Sequence, residues 1–288
     1  MNRDLAITFA GGGNRAFYQY GLMLHWWDRL APRVAALSTC SAGACVAVML
    51  LTGRRALARE EFLTRTAGIT RNFDLRRLLR GERPAPHGDV YRAILMRMLE
   101  DGGVERVRAQ PFPIFVLASA FPAWWPSSLA AAIGISAYQL EKALNQRVLH
   151  PTFGKRIGFS PAVYDARDCS SAAELADLVL ASSSTPPFTP VGRYRGRALL
   201  DGGMIDNAPA FVGDSADGVR RNLILMTRPY EAGLLGRRGS RLYVAPTGPV
   251  PVGRWDYTRP LAVDDAVTLG ERDADIHDAE LTAFLEED

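Results

Sequence analysis

Two short apolar runs near the amino terminus each stop at a glycine-bearing turn and each lead into a helix, and this arrangement constrains the fold more than any other feature. Residues 5–10, apolar but for Thr8, end at Gly11-Gly12-Gly13, after which Phe17, Tyr20, Leu24 and Trp27 recur at helical spacing towards Leu30. Residues 34–39 then meet Ser41-Ala42-Gly43, and residues 44–51 are apolar on all sides before Gly53. A strand that reaches the next strand through a helix closes as a crossover between parallel neighbours, so both glycine-bearing turns share the carboxyl edge of a sheet. Ligands of open α/β folds bind at that edge.

The rest of the chain extends the same class. Residues 113–120, 197–200 and 223–227 read as strands, and residues 172–180 and 263–284 as helices. Between residues 54 and 83 Arg alternates with Leu, Ala and Phe, which suits amphipathic helices that leave the sheet. Residues 121–126 form an aromatic, proline-punctuated loop carrying Trp124 and Trp125. With 288 residues, 48% hydrophobic and 23% charged, the expectation is one α/β domain over residues 1–288 built on a mostly parallel central sheet, with room for a lid.

Composition excludes several functions. A net charge of +3 is too small for a polyanion-binding surface, so nucleic acid is not an expected partner. Cys40, Cys45 and Cys169 make neither a disulfide framework nor a C-x-x-C pair, which fits a reducing, cytoplasmic location. The apolar stretch at residues 5–10 is too short for the core of a signal peptide, and residues 114–135 are broken by Pro122 and Pro126 and do not span a bilayer. The histidines and cysteines lack ligand spacing, so neither metal nor cofactor is expected.

The chemistry has three sources. Residues 11–16 satisfy the dinucleotide pattern G-x-G-x-x-G/A, but the second strand ends in Ser38-Thr39-Cys40-Ser41, without the acid that would hold a ribose, and no Gly-Lys-Ser/Thr follows. Ser41 lies at a sharp strand-to-helix turn that would thrust its Oγ out at the sheet edge, close to helix NH groups. Ala42, Gly43 and Ala44 are small enough for such an elbow, whereas Thr39 stands where G-x-S-x-G has its first glycine. The three glycines on the neighbouring strand offer bare NH groups to a developing oxyanion, each donor contributing about 2.7 to 4 kcal/mol.

A nucleophilic serine also needs a base. Of His25, His87, His150 and His277 only His277 follows Asp201, as the Ser, Asp, His order of an α/β-hydrolase requires, and it lies in an acidic helix. Asp201 ends a strand and precedes Gly202-Gly203. A carboxylate with an ordinary pKa of about 3.9 is a poor match to a hydroxyl unless a partly dry pocket raises it. Asp-Gly turns are also common for purely structural reasons.

Together these segments resemble the patatin-like phospholipases, lipid acyl hydrolases with a Ser-Asp dyad. Residues 5–16 with Tyr18, Gln19 and Gly21 resemble the family's oxyanion segment, and residues 40–44 its nucleophile elbow. Residues 181–190 are similar to the proline-bearing loop before the second catalytic strand, and residues 201–209 to the D-G-G segment. The resemblance implies a three-layer α/β/α fold with a lid or substrate region at about residues 54–180, Ser41 and Asp201 as catalytic residues, and Gly11, Gly12, Gly13 and Arg15 at the oxyanion. It implies a phospholipase A or lysophospholipase type of carboxylic ester hydrolysis, an acyl-ester lipid as substrate, no cofactor and no metal.

Ala16 and Thr39 replace glycines of the family pattern, and Thr39 threatens to crowd the turn. A weakened or non-catalytic lipid-binding protein and an esterase using His277 therefore stand as alternatives. Trp124, Trp125 and the arginine-rich residues 54–83 further suggest peripheral contact with an anionic membrane surface, with core packing as the rival role for the tryptophans.

Overall fold

The computed structural model of the protein describes residues 3–130, 132–133, 136, 149–150, 157–186 and 188–286. The amino-terminal unit folds as its sequence dictates: β1 (Leu5–Phe9), α1 (Phe17–Leu30), β2 (Val34–Cys40) and α2 (Ala42–Thr52) follow one another, with a 3-10 turn at Gly13–Ala16 leading into α1. Then come α3 (Arg55–Thr66), α4 (His87–Leu99), α5 (Gly103–Arg108), β3 (Ile114–Ala120) and β4 (Ser160–Asp165). The chain continues through α6 (Ala172–Ser182), β5 (Gly192–Tyr194), β6 (Arg197–Asp201), α7 (Ala210–Asp214), β7 (Arg221–Leu225), β8 (Gly236–Arg238), β9 (Arg241–Val244) and α8 (Ala262–Glu286).

The described strands form one sheet in the order β5-β6-β3-β2-β1-β7-β9-β8, with β4 also paired to β3. Its centre is parallel: β1 pairs with β2 and β7, β2 with β3, and β7 with β9. The margins are antiparallel. Each strand's alternation splits the core between two faces. Leu5, Ile7 and Phe9 join Leu223, Leu225, Leu242 and Val244 in the main core, whereas Ala10, Ile224, Met226, Tyr243 and Ala245 make a smaller cluster on the opposite face. Helix α7 packs on that second face, where Gly213 lies against Ala6 and Ser38. The result is a three-layer α/β/α fold.

The strand expected at residues 113–120 is β3, wedged between β2 and β6 and carrying β4 as well. Within the arginine-rich stretch only α3 is a regular helix, and Leu75–Arg80 is a 3-10 turn with no buried residue. The short strands β4, β5 and β8 carry too little apolar alternation to be read from sequence; β4, for example, buries only Ala162 among its six residues. No described helix is long and apolar enough to cross a membrane.

Candidate active site

Strand β2 stops at Cys40, and the chain turns into α2 through Ser41 with φ 52° and ψ −128°. Ser41 is one of three described non-glycine residues in the left-handed region of φ, a strained conformation that persists only where its surroundings hold it. The surroundings do so from two sides. The Ser41 NH donates to Ser182 Oγ at 2.8 Å, and that hydroxyl donates on to the Leu117 carbonyl of β3 at 2.6 Å. On the helix side Gly43 is pressed against the end of β1, where a Cβ would come within 2.3 Å of the Phe9 carbonyl oxygen.

Strand register delivers the carboxylate. Cys40 is opposite Leu117 on one side of β3, and Ala118 is opposite Asp201 on the other, so the ends of β2 and β6 lie at one level across β3. Strand β6 is antiparallel to β3 and ends as it reaches this level. Asp201 accepts the Gly203 NH at 2.7 Å, and the Ser41 side chain acts on the same carboxylate. Burial of the carboxylate pushes its pKa up to about 6, while the Gly203 and Ser41 bonds and the nearby Arg254 guanidinium pull the other way. The Cys40 thiol, 4.0 Å from Asp201, is also buried and raised well above its ordinary value, so it stays protonated.

The glycine run lies against the serine. A Cβ on Gly11 would approach Ser41 Cβ to 3.1 Å and Asn207 Oδ1 to 2.8 Å. The Gly11 NH donates to the Asn207 carbonyl at 2.8 Å, so Gly11 presents its bare Cα to Ser41 and not a free donor. The NH groups of Gly12 and Gly13 have no acceptor among the described residues. Gly13 and Ser41 line one cavity, part of it open to solvent at the mouth. Its walls are apolar and aromatic, with Met49, Phe62, Tyr91 and Ile94 among them.

A family model described as Patatin-like phospholipase matches residues 7–213, which include the end of β1, the elbow and the Asp201 segment. The chain belongs to the patatin-like phospholipase family. A search of curated proteins finds no match. Among solved structures the chain is similar to VipD from Legionella pneumophila, with 14% identity and a TM-score of 0.42 over 96% of this chain and 67% of that one. It is similar also to human GIVD cytosolic phospholipase A2, with 15% identity and a TM-score of 0.42 over 99% of this chain and 63% of that one. The chain thus spans about two thirds of the length of each.

Two departures from the patatin-like pattern are absorbed by the fold. Thr39 is fully buried and donates its hydroxyl to the Phe115 carbonyl at 2.9 Å, so it binds β3 and leaves the turn uncrowded. Ala16 has φ −66°, an ordinary helical value that needs no glycine. His277 does not come to the serine: its Nε2 meets the Ala245 carbonyl at 3.1 Å. His25 pairs with Asp275 at 3.3 Å, and His150 bridges Asp206 and the Tyr243 hydroxyl at 2.9 and 2.8 Å. Trp125 packs edge-on against Phe159, whereas Trp124 is 80% exposed. Among the described residues no group of three or more His, Cys, Asp or Glu could hold a metal.

Sequence reasoning missed the cavity's other polar groups. His87, among prolines in the sequence, lies in the cavity wall stacked on Tyr91 and edge-on to Trp255, and burial pulls its pKa down to about 3. A ring so enclosed is neutral at physiological pH. Arg254 was missed as well: its carbonyl accepts the Asn14 NH at 3.1 Å, its side chain lies over Gly13, and its charge acts on Asp201. Neither residue stands in a recognisable motif.

Proposed function

We propose that this chain is a serine carboxylic ester hydrolase acting on lipid acyl esters, of the phospholipase A or lysophospholipase type. Ser41 Oγ attacks the ester carbonyl carbon, Asp201 takes the hydroxyl proton, and the carbonyl oxygen becomes an oxyanion. The NH groups of Gly12 and Gly13 stabilise that oxyanion, helped by the positive end of α2; Gly11 contributes close approach, and Arg15 belongs to the same loop. Collapse breaks the ester bond, and the departing alcohol takes the proton from Asp201. Water then attacks the acyl-serine, Asp201 accepts its proton, and the fatty acid leaves as Ser41 recovers its hydrogen. The apolar cavity beside Ser41 takes the acyl chain.

One arrangement carries this reading: strand register brings the buried Asp201 carboxylate to the turn of Ser41, whose side chain acts on it, and burial pushes its pKa up to about 6, within range of a working base at neutral pH. The experiment is fluorophosphonate labelling with hydrolysis of a mixed lipid panel. Wild type labels and releases fatty acid; S41A does neither; D201N loses turnover; H277A keeps it. Full turnover in D201N would remove the dyad, and absence of labelling in wild type would favour a non-catalytic lipid-binding protein.

A further inference from the structure

The 3-10 turn Leu75–Arg80 has the sequence Leu-Arg-Arg-Leu-Leu-Arg and buries none of its residues. Leu75, Leu78 and Leu79 are 62%, 55% and 89% exposed, and Phe73 is 43% exposed, so four large apolar side chains face water within seven positions. Such clustering on a water-facing segment marks an interaction surface, since single exposed leucines are ordinary but a contiguous patch is not. Its charge states the kind of partner. Residues 71–83 hold five arginines against Asp74 and Glu82, a surplus of three and as large as that of the whole chain. Glu82 is taken by Arg77 and Arg80, and Asp74 caps the turn through the Arg76 NH. Among the described residues Arg71, Arg76 and Arg83 have no acidic partner.

The turn is also wired to the cavity. Phe73 meets Phe188 edge-on at 6.1 Å, Phe188 stacks on Trp255 at 5.1 Å, and Trp255 meets His87 at 4.5 Å. Trp255 and His87 line the cavity of Ser41. Asn72 Oδ1 accepts the Tyr257 NH at 2.7 Å, which ties the start of the turn to another cavity residue.

We propose that residues 71–83 seat this chain on an anionic lipid bilayer, with Leu75, Leu78 and Leu79 entering the acyl boundary and the unpaired arginines meeting lipid phosphates. Leucine side chains interleaved with arginines suit the bilayer interface, where apolar groups find hydrocarbon while the long cations reach back to the headgroups. Juxtaposed arginines select anionic leaflets. The aromatic contacts from Phe73 to His87 then place the mouth of the cavity next to the surface, so a lipid enters without crossing open water. That last consequence rests on the lipid-hydrolase reading; the docking itself does not.

The test separates the two. Full-length S41A protein is floated with vesicles of phosphatidylglycerol and phosphatidylcholine and, separately, of phosphatidylcholine alone. S41A binds the anionic vesicles, S41A with L78D and L79D binds about tenfold or more weakly, and S41A with R76E and R83E loses the preference for the anionic lipid. On an otherwise wild-type chain, L78D with L79D hydrolyses vesicle lipid more slowly while soluble p-nitrophenyl butyrate turnover stays within about twofold, the cavity being intact. Equal vesicle binding with and without the aspartates overturns the proposal. So does a change in solution mass caused by the aspartates, which would make the patch an interface between copies. A wild-type chain that binds anionic vesicles but hydrolyses neither substrate leaves docking standing and removes the hydrolase reading.

Discussion

Asn207 and Gly11 hold each other by two reciprocal bonds: the Asn207 amide donates from Nδ2 to the Gly11 carbonyl at 2.9 Å, and the Gly11 NH donates to the Asn207 carbonyl at 2.8 Å. Thr227 adds a second donor to the same Gly11 carbonyl at 2.8 Å. The glycine loop at the end of β1 is therefore fastened to the segment that carries Asp201, although 196 residues separate the two partners. A loop whose first glycine has its NH and carbonyl both bonded is held in place, as the proposed use of the next two amides requires.

Asn207→Ala keeps the backbone bond and removes the side-chain one. We expect a stability loss of about 1 kcal/mol, the worth of a part-buried hydrogen bond whose acceptor keeps a second donor. Activity should suffer more than folding does, with kcat lowered about tenfold and KM little changed, because the loss falls on transition-state stabilisation. Steady-state kinetics alongside thermal denaturation checks this; a KM effect alone would place Asn207 in substrate binding.

The pH profile follows from Asp201. Burial pushes its pKa up to about 6, and in the proposed dyad only the carboxylate can accept the Ser41 proton, so kcat/KM should rise with pH through an acidic limb near 6. Arg254 lowers this pKa by its charge. Arg254→Gln should therefore move the limb to higher pH. A limb that stays in place would mean that Arg254 does not feel the carboxylate in solution.

Asp201→Asn tests the same group through stability. The folded pKa lies above the ordinary 3.8, so the unfolded chain ionises first as pH rises, and the native state loses stability between about pH 4 and 6. Below that window both forms are neutral and the group contributes nothing. The asparagine removes the cost of the buried charge: the inactive variant should be more stable than wild type by about 1–3 kcal/mol at pH 8, with the difference vanishing near pH 3.5. Urea denaturation at the two pH values measures it.

These residues also mark how far the sequence could be read. Ser41, Asp201 and the glycines announce themselves because each ends a strand with small neighbours, and β1 to α2 follow directly from apolar periodicity. Asn207 and Ser182 do not, since their roles depend on contacts 196 and 141 residues away. The glycine run is legible as a donor loop, but which amide is already occupied is set by the fold. Thr39 shows the opposite error: local pattern casts it as an intruder in the elbow, and the neighbouring strand supplies the Phe115 carbonyl that accommodates it. The place of His87 in the cavity wall is not legible locally, because its aromatic neighbours Trp255 and Tyr257 arrive from the far end of the chain.

The elbow itself permits a last comparison. At Gly43 the backbone is ordinary but the space is not: a methyl group would meet the Phe9 carbonyl oxygen at 2.3 Å and the Ala10 carbonyl oxygen at 2.9 Å, atoms that belong to the central strand and cannot turn aside. Gly43→Ala must push α2 away from β1, at a cost of about 1–3 kcal/mol, and must move Ser41 with it. At Ser41 the reverse holds, because φ 52° is strained for a serine and natural for glycine. Ser41→Gly should therefore fold at least as stably as Ser41→Ala, by about 1 kcal/mol, while both lose fluorophosphonate labelling. Thermal denaturation of the three variants orders them as Gly43→Ala least stable, then Ser41→Ala, then Ser41→Gly. A Gly43→Ala protein as stable and active as wild type would mean that the helix does not bear on β1 as closely as these contacts require.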